Sequence, residues 1–320
     1  GRQSTQLAGS VAGLYLKSYS RDQEFEAGML GVRYMNRTGY DARAMASFLR
    51  GLRANSRLDA KIEGRPPGDI DAFDIGATHP QTLERVQRAV AISGNGRAGG
   101  ARLGRNDYLN TLDGMIFGDG PEQGYVLGQR FAHPKLRFEF TVPPEFSLRN
   151  KVDRLTATSR KRGATIVFDA APKQFQGSMP AYLSSTWARG ARVQQLERIT
   201  INGMSAATGW VRGNGPKGPL VFRLIAIRFD ARTIYRFLFA APASVMPSLS
   251  TAFQRTTYSF RRLTPAQAKA LKPRTLAIVE VGSVNAHERL FQRMAFDTYR
   301  RERFNVLNGL EGSTTPTRGG

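Results

Sequence analysis

Residues 19 to 52 read YSRDQEFEAGMLGVRYMNRTGYDARAMASFLRGL, and this stretch decides the fold of the N-terminal part of the chain. Apolar residues recur at helical spacing in both of its halves, at Phe25, Met29 and Val32 and then at Met45, Phe48, Leu49 and Leu52. Gly39 lies between the halves, where the end of a helix favours a residue that tolerates positive φ. Asp41 follows as the expected N-cap of a second helix. The stretch therefore predicts two consecutive helices joined by a tight turn.

The opposite face of the first helix carries one carboxylate among very small residues. Helical spacing places Glu24, Ala27, Gly28 and Gly31 on this face. Glycine inside a helix costs about 1 kcal/mol relative to alanine, so the close approach of another helix or of a bound ion should compensate for it. Two interpretations stay open from the residues alone, namely a tightly packed helix pair with a solvated Glu24, or a face that binds a ligand.

The same segment resembles the third-ligand region of the zinc metallopeptidases of the HtpX and BepA type, metallopeptidase family forty-eight. That family has the pattern Glu-x-x-Ala-Asp on a helix and a Gly-Tyr-Asp-Pro turn before the next helix. The matching residues here are Glu24-Phe25-Glu26-Ala27-Gly28 and Gly39-Tyr40-Asp41-Ala42. The resemblance implies that Glu24 is a ligand of Zn²⁺.

Two positions depart from the family pattern. Gly28 stands in place of the family's Asp, which removes an acceptor of the kind whose loss typically lowers metal affinity or activity roughly 10- to 100-fold. Ala42 replaces the usual Pro, a milder change at a helix start. Glu26 lies about 200° around the helix from Glu24 and cannot share its site.

A second family signature begins at Thr78-His79-Pro80, and Pro80 suits the first position of a helix. In BepA-like members the matching His approaches the zinc from a loop and holds the site closed. The resemblance thus makes His79 a candidate regulatory ligand, and it makes Arg85 a candidate contact for that loop or for a substrate carbonyl. From its position alone, His79 is equally interpretable as a helix cap or a surface residue.

Zinc peptidases of this class also need two His at i and i+4 on one helix, with a Glu between them as general base. The chain has three histidines, His79, His133 and His287, and none lies four residues from another. No catalytic residue is therefore predicted in this chain, and the general base is expected upstream of Gly1. Glu24 and His79 need further ligands, which this chain does not contain, to hold Zn²⁺ tightly.

The period of the hydrophobic pattern changes from 3.6 to 2 at about Gly124. Strands are predicted around residues 136–142, 164–169, 198–201, 209–212, 220–229 and 234–239. The strand that runs into Val142-Pro143-Pro144 vaguely resembles the PsbP and Mog-type α/β/α fold. Tyr235, Arg236 and Phe237 alternate in a way that would suit base stacking, but no RNA-binding signature accompanies them, so a sheet core is the favoured interpretation.

The C-terminal part reads strand, helix, helix over residues 276–281, 286–294 and 299–307, and it resembles a LysM module, the small peptidoglycan-binding unit. A module retained only for packing is the alternative. The predicted fold class is thus α+β multidomain, with a partial helical metallopeptidase lobe, an antiparallel-sheet α+β domain and a small LysM-like βαα end. The predicted boundaries are 1–95 for the metallopeptidase part, 96–105 for a Gly/Arg linker, 106–263 for the α+β domain and 264–320 for the LysM-like module with its polar tail.

The net charge of +22 over 320 residues favours an anionic partner, although it does not select one. The absence of cysteine excludes disulfides, thiolate metal sites and Cys nucleophiles. No stretch approaches the ~20 apolar residues that span a bilayer.

Two functions follow as expectations. The leading one is the C-terminal part of a zinc metalloendopeptidase of the bacterial periplasm or membrane-associated envelope, acting on protein or peptide substrates. The alternative is a non-catalytic envelope scaffold that holds an anionic polymer such as peptidoglycan. Nucleic acid is the least favoured partner.

Overall fold

The structure is a computed structural model that describes residues 21–66, 87–88, 91–92, 101–216, 218–281 and 286–310. Its contacts group the chain into two compact units. The helical unit comprises Gly1–Asp113 and Ala277–Gly320, and the sheet unit comprises Gly114–Leu276. These two units do not coincide with the four predicted segments, whose functional assignment stays a prediction.

In the described ranges the helices are α1 (Arg21–Arg37), α2 (Arg43–Ile62), α3 (Arg105–Leu112), α4 (Met179–Ala181, continued by a π-helical segment Tyr182–Trp187), α5 (Met246–Ser259), α6 (Pro265–Ala270), α7 (Ala286–Gln292) and α8 (Arg300–Leu307). None of the described helices is long and apolar enough to cross a bilayer.

The strands of the described ranges are β1 (Tyr125–Leu127), β2 (Arg130–His133), β3 (Phe138–Thr141), β4 (Ser147–Asn150), β5 (Leu155–Ser159), β6 (Ala164–Ala170), β7 (Gln194–Ile201), β8 (Met204–Gly215), β9 (Gly218–Arg228), β10 (Ile234–Pro242) and β11 (Arg261–Arg262). They form a four-stranded sheet in the order β1-β2-β3-β11 and a seven-stranded sheet in the order β4-β5-β6-β10-β9-β8-β7. Neighbouring strands are antiparallel, as the sequence predicted.

The helical unit contains the two helices predicted from residues 19 to 52. Phe25 and Val32 of α1 and Leu49 of α2 are buried, as their spacing predicts. Met29 and Phe48 belong to the same predicted stripes, yet they are 48% and 59% exposed. The apolar face of the helix pair is therefore only partly covered.

The C-terminal helix α8 packs against α2 within the helical unit. The Lys61 Nζ atom donates a hydrogen bond of 2.9 Å to Glu302, and it lies 5.5 Å from the centroid of the Tyr299 ring. The Lys61 ammonium is therefore stabilised by the Glu302 carboxylate and by a cation–π interaction with Tyr299. The C-terminal residues thus contact the N-terminal helices.

The strand predicted over residues 276–281 does not form, so the LysM-like βαα end is not confirmed. A strand needs a hydrogen-bonded neighbour over several residues. Leu276 bonds the backbone of Gly114 and Met115, but Ile278 donates to the side chain of Asp113 instead of to a strand carbonyl. Only the two helices of the predicted module are present, as α7 and α8.

Aromatic rings fill the space between the two sheets of the sheet unit. Phe140 of β3 lies 4.7 Å from Phe168 of β6 and 5.0 Å from Phe237 of β10, measured between ring centroids. On the same side, α5 places Phe253 4.7 Å from Phe239. The alternation of apolar residues along each strand aims these rings at one core.

The other face of the seven-stranded sheet is covered by α4 and its π-helical continuation, through Met179, Tyr182 and Leu183. Beside them, Arg236 forms an ion pair of 2.5 Å with Asp169, and its guanidinium lies 5.0 Å from the Trp187 ring centroid. Tyr235 and Phe237 are buried on the opposite face. The alternating aromatic and basic residues of β10 therefore belong to the sheet core, and no base could stack on these rings.

Buried His133 makes the stability of the sheet unit depend on pH. Its Nδ1 atom accepts a hydrogen bond of 3.2 Å from the Leu136 N–H, and burial lowers the pKa of the imidazole below its usual value of about 6.5. The folded state therefore resists protonation. The stability that depends on neutral His133 is fully present above pH ~6.5, and it is lost as the pH falls through the lowered pKa.

We expect His133→Gln to flatten this acid-side loss, because the titrating group is gone. The measurement is the free energy of unfolding of wild type and variant in urea between pH ~7.5 and ~5. His287→Gln, which removes a histidine of the helical unit, is the control. An unchanged pH slope in His133→Gln would contradict the assignment.

Candidate functional site

The turn between α1 and α2 has the conformation that its residues predict. Gly39 adopts φ +80°, the left-handed region that favours glycine at the end of a helix. The helix begins at Arg43 with Ala42 as its N-cap, one residue later than expected. Asp41 still caps it, because its Oδ1 accepts a hydrogen bond of 2.9 Å from the Arg43 N–H. The Arg43 side chain also hydrogen-bonds this carboxylate and lowers the pKa of Asp41.

Arg102, which lies within the predicted linker 96–105, forms backbone hydrogen bonds with this turn. The Arg102 N–H donates to the Gly39 carbonyl at 2.9 Å, and the Asp41 N–H donates to the Arg102 carbonyl at 3.1 Å. The Arg102 guanidinium lies 5.5 Å from the Tyr40 ring centroid and pairs with Asp107 at 2.7 Å. The Gly-Tyr-Asp turn is therefore bound to Arg102, shortly before α3, by backbone hydrogen bonds on both sides of Tyr40.

The two glycines of the small-residue face have different surroundings. A Cβ on Gly31 would lie 2.4 Å from the Met45 Cε atom, so α1 approaches α2 closely at this residue. Apart from the backbone of α1 itself, no described atom lies within 4 Å of the position that a Cβ on Gly28 would take. The packed-helix interpretation thus holds at Gly31, whereas Gly28 leaves open space beside α1.

An arginine that the sequence did not single out contacts the same helix. The Arg88 guanidinium lies 3.8 Å from the centroid of the Phe25 ring, directly after Glu24 in the chain. In the sequence, Arg88 comes three residues after the predicted site residue Arg85, which lies outside the described residues. Its spacing from Arg85 was the only sequence signal for this contact.

The predicted site residues themselves are mostly outside the described residues. Glu24 lies in α1, but its side chain is not among them, and His79 and Arg85 lie outside them entirely. Among the residues that the structure describes, no group of three or more His, Asp or Glu side chains could hold a metal ion. The assignments of Glu24 and His79 as zinc ligands, and of Arg85 as a loop or substrate contact, stay predictions.

Residues 3–93 match the family model of peptidase family M48. The matched range contains Glu24, His79 and Arg85, and it supports a relation of this part of the chain to the M48 metallopeptidases, which are zinc enzymes. No curated protein matches the sequence.

Solved structures resemble parts of the chain with low identity. LpqN, involved in cell envelope biogenesis of Mycobacterium tuberculosis, is 12% identical, with 40% of this chain and 83% of that chain covered and a TM-score of 0.33. The Ran-binding protein Mog1p of Saccharomyces cerevisiae is 13% identical, with 43% and 96% covered and a TM-score of 0.32. The PsbP of Synechocystis sp. PCC 6803 is 12% identical, with 47% and 98% covered and a TM-score of 0.34. Likenesses of this size support no inference about function.

Substitutions at the two glycines test the close contact between α1 and α2. We expect Gly28→Ala to stabilise α1 by about 1 kcal/mol, because alanine is the better helix former and the space beside it is open. Gly31→Ala should gain less or become destabilising, since the Met45 methyl group must move away. Amide hydrogen exchange along α1 measures both changes. Equal stabilisation by the two variants would mean that the helices are not in contact at Gly31.

Proposed function

We propose that this chain is the C-terminal part of a bacterial envelope zinc metalloendopeptidase of the HtpX and BepA type, which hydrolyses peptide bonds of misfolded or envelope proteins. The observation that carries the proposal is the match of residues 3–93 to peptidase family M48. The helix, the Gly39 turn and the second helix have the order that the family pattern requires.

The residues of this chain do not complete a zinc site by themselves. A catalytic site holds Zn²⁺ with three protein ligands and an open position. The sequence supplies a candidate carboxylate at Glu24 and a candidate regulatory imidazole at His79, and it lacks the His-Glu-x-x-His helix. In this proposal, two ligands and the general base come from residues outside this sequence, and no catalytic step is assigned to this chain alone.

The part played by the described residues is to hold the helix that bears Glu24. Packing at Gly31 and the stack of Arg88 on Phe25 fix α1 against its neighbours. The backbone bonds of Arg102 with the Gly39 and Asp41 residues fix the turn that follows it. Such support matters because a ligand on a rigid element keeps its geometry better than one on a loop.

The test uses the longer protein, in which the reading frame is extended upstream to include a His-Glu-x-x-His helix. We expect it to contain about one Zn²⁺ per chain and to cleave an unfolded protein such as casein. Glu24→Gln should abolish both metal content and cleavage. Glu26→Gln is the matched control, because it removes one carboxylate from the same helix without touching the predicted ligand.

A second experiment adds a carboxylate at Gly28, where the space beside α1 is open. Gly28→Asp restores the family's carboxylate, and we expect it to raise zinc affinity by about 10-fold. Zinc content that survives in Glu24→Gln would exclude Glu24 as a ligand. A Glu26→Gln variant that loses the metal as completely as Glu24→Gln would also contradict the proposal.

The alternative function is a non-catalytic envelope scaffold that holds an anionic polymer such as peptidoglycan, and the net charge of +22 favours it. In that case the longer protein would lack zinc. The 320-residue chain would sediment with purified peptidoglycan, and this binding would weaken steeply between low and moderate salt because exposed charges are screened. Binding that is absent at low salt would exclude the scaffold.

A further inference from the structure

Arg223 of β9 is a largely buried cation of the sheet unit, and no carboxylate among the described residues forms an ion pair with it. Among the described residues, its only hydrogen bond runs from Nε to the Thr208 Oγ1 atom, at 3.4 Å. Its guanidinium lies 5.4 Å from the Trp210 ring centroid. Burial of the guanidinium lowers the pKa of Arg223, because water solvates the charged form less well there.

The register of the strands puts these three groups together. Trp210 lies directly opposite Arg223 on β8, and Phe239 lies opposite it on β10. Thr208, two residues before Trp210, therefore faces the same side of the sheet. Arg223 therefore has an aromatic residue as its cross-strand neighbour on each side, and its guanidinium lies near the ring of Trp210.

A depression adjoins this cluster at the end of the β8–β9 hairpin. It has a volume of about 260 Å³, and Arg212, Val221 and Ala243 are among the residues that line it. Arg212 and Val221 are the cross-strand pair next to Trp210 and Arg223 on the same face. Arg212 is exposed, so a second guanidinium borders the open side of the cluster.

The local charge selects the type of anion. Glu197 of β7 lies directly opposite Thr208, and its charge acts on Arg223. Taken together, Arg223, Arg212 and Glu197 carry one net positive charge. One positive charge suits a monoanion better than a phosphate dianion, and the planar fork of a guanidinium matches the two oxygens of a carboxylate.

We propose that Arg223, Thr208 and Trp210 form a binding site for a carboxylate group, supplied by a peptide C-terminus or by an acidic side chain. The carboxylate accepts hydrogen bonds from the N–H groups of Arg223 and forms the direct ion pair that no described carboxylate forms with this guanidinium. Arg212 contributes a second, more exposed positive charge. The site lies in the sheet unit and does not depend on the peptidase assignment.

The test titrates the 320-residue chain with three peptides at constant ionic strength and follows tryptophan fluorescence. The probes are N-acetyl-Ala-Ala with a free C-terminus, its amide, and N-acetyl-Ala-Glu-Ala amide; inorganic phosphate is the fourth ligand. We expect saturable binding of a free carboxylate and none of the simple amide. The free-terminus and Glu-containing peptides distinguish the two sources. Trp210→Phe should remove the signal, which leaves Trp187 as the remaining tryptophan.

Substitutions of Arg223 test whether this residue binds the carboxylate. Arg223→Gln should weaken carboxylate binding about tenfold or more, the size expected for one charge-assisted pair. Arg223→Lys keeps the charge but loses the planar fork, so it should bind several-fold more weakly than wild type, and it serves if the Gln variant does not fold. Arg198→Gln is the matched control, because Arg198 follows Glu197 on β7 and faces the other side of the sheet.

Several results would overturn the proposal. These are equal binding of the free acid and the simple amide, tighter binding of phosphate than of any carboxylate, and full binding by Arg223→Gln or Arg223→Lys. An equal loss in Arg198→Gln would mean that general charge attraction holds the ligand. Far-UV circular dichroism of each variant verifies that the sheet is intact.

Discussion

The packing of aromatic rings between the two sheets constrains the rest of the sheet unit. Phe140, Phe168 and Phe237 meet from three strands at centroid distances of 4.7 to 5.0 Å. Once these rings are buried on one face, strand alternation determines the face of every other residue on β8, β9 and β10. The same register places Arg223 of β9 on this face, directly opposite Trp210 of β8. A slip by one residue would bury the cation on the other side.

The helical unit depends on a different constraint, which is the close approach of α1 and α2. Gly31 permits it, and the turn at Gly39 returns the chain at the required angle. Arg102 then bonds both sides of the turn. The helix that carries the candidate zinc ligand Glu24 is thereby held from more than one direction. A helix fixed in this way suits a metal ligand, and it also suits a helix pair with a purely structural role. Measuring the metal content distinguishes the two.

Much of the fold was predictable because it rests on local chemistry. The two helices, the αL glycine at Gly39 and the strands from β6 to β10 follow from periodicity and turn residues. The strand over residues 276–281 was predicted wrongly from the same kind of signal. Its run of apolar residues is present, but Ile278 and Val279 are 37% and 50% exposed and no described strand pairs with them. A short apolar run forms a strand only where a partner strand exists, and the sequence does not show the partner.

The candidate sites divide in the same way. Glu24, His79 and Arg85 were selected by a resemblance that residues 3–93 support at the level of the M48 family, and their roles stay predictions. Arg88 and Arg102 escaped notice because their contacts, with Phe25 and Tyr40, are made across long stretches of chain. Arg223 escaped notice because an arginine in a strand looks like a solvated residue until its neighbours are known.

By itself, the sequence determined the helix pair, the antiparallel α+β character of residues beyond Gly124, the lack of cysteine chemistry and the lack of a His-Glu-x-x-His helix. Each of these depends on residue identity or on spacing within a few residues. Only the tertiary structure decided that α8 packs on α2, that Gly31 meets Met45 while Gly28 faces open space, and that Arg223 forms no ion pair with a described carboxylate. These depend on which distant segments share a surface, and burial there, not local propensity, sets the energy of each side chain.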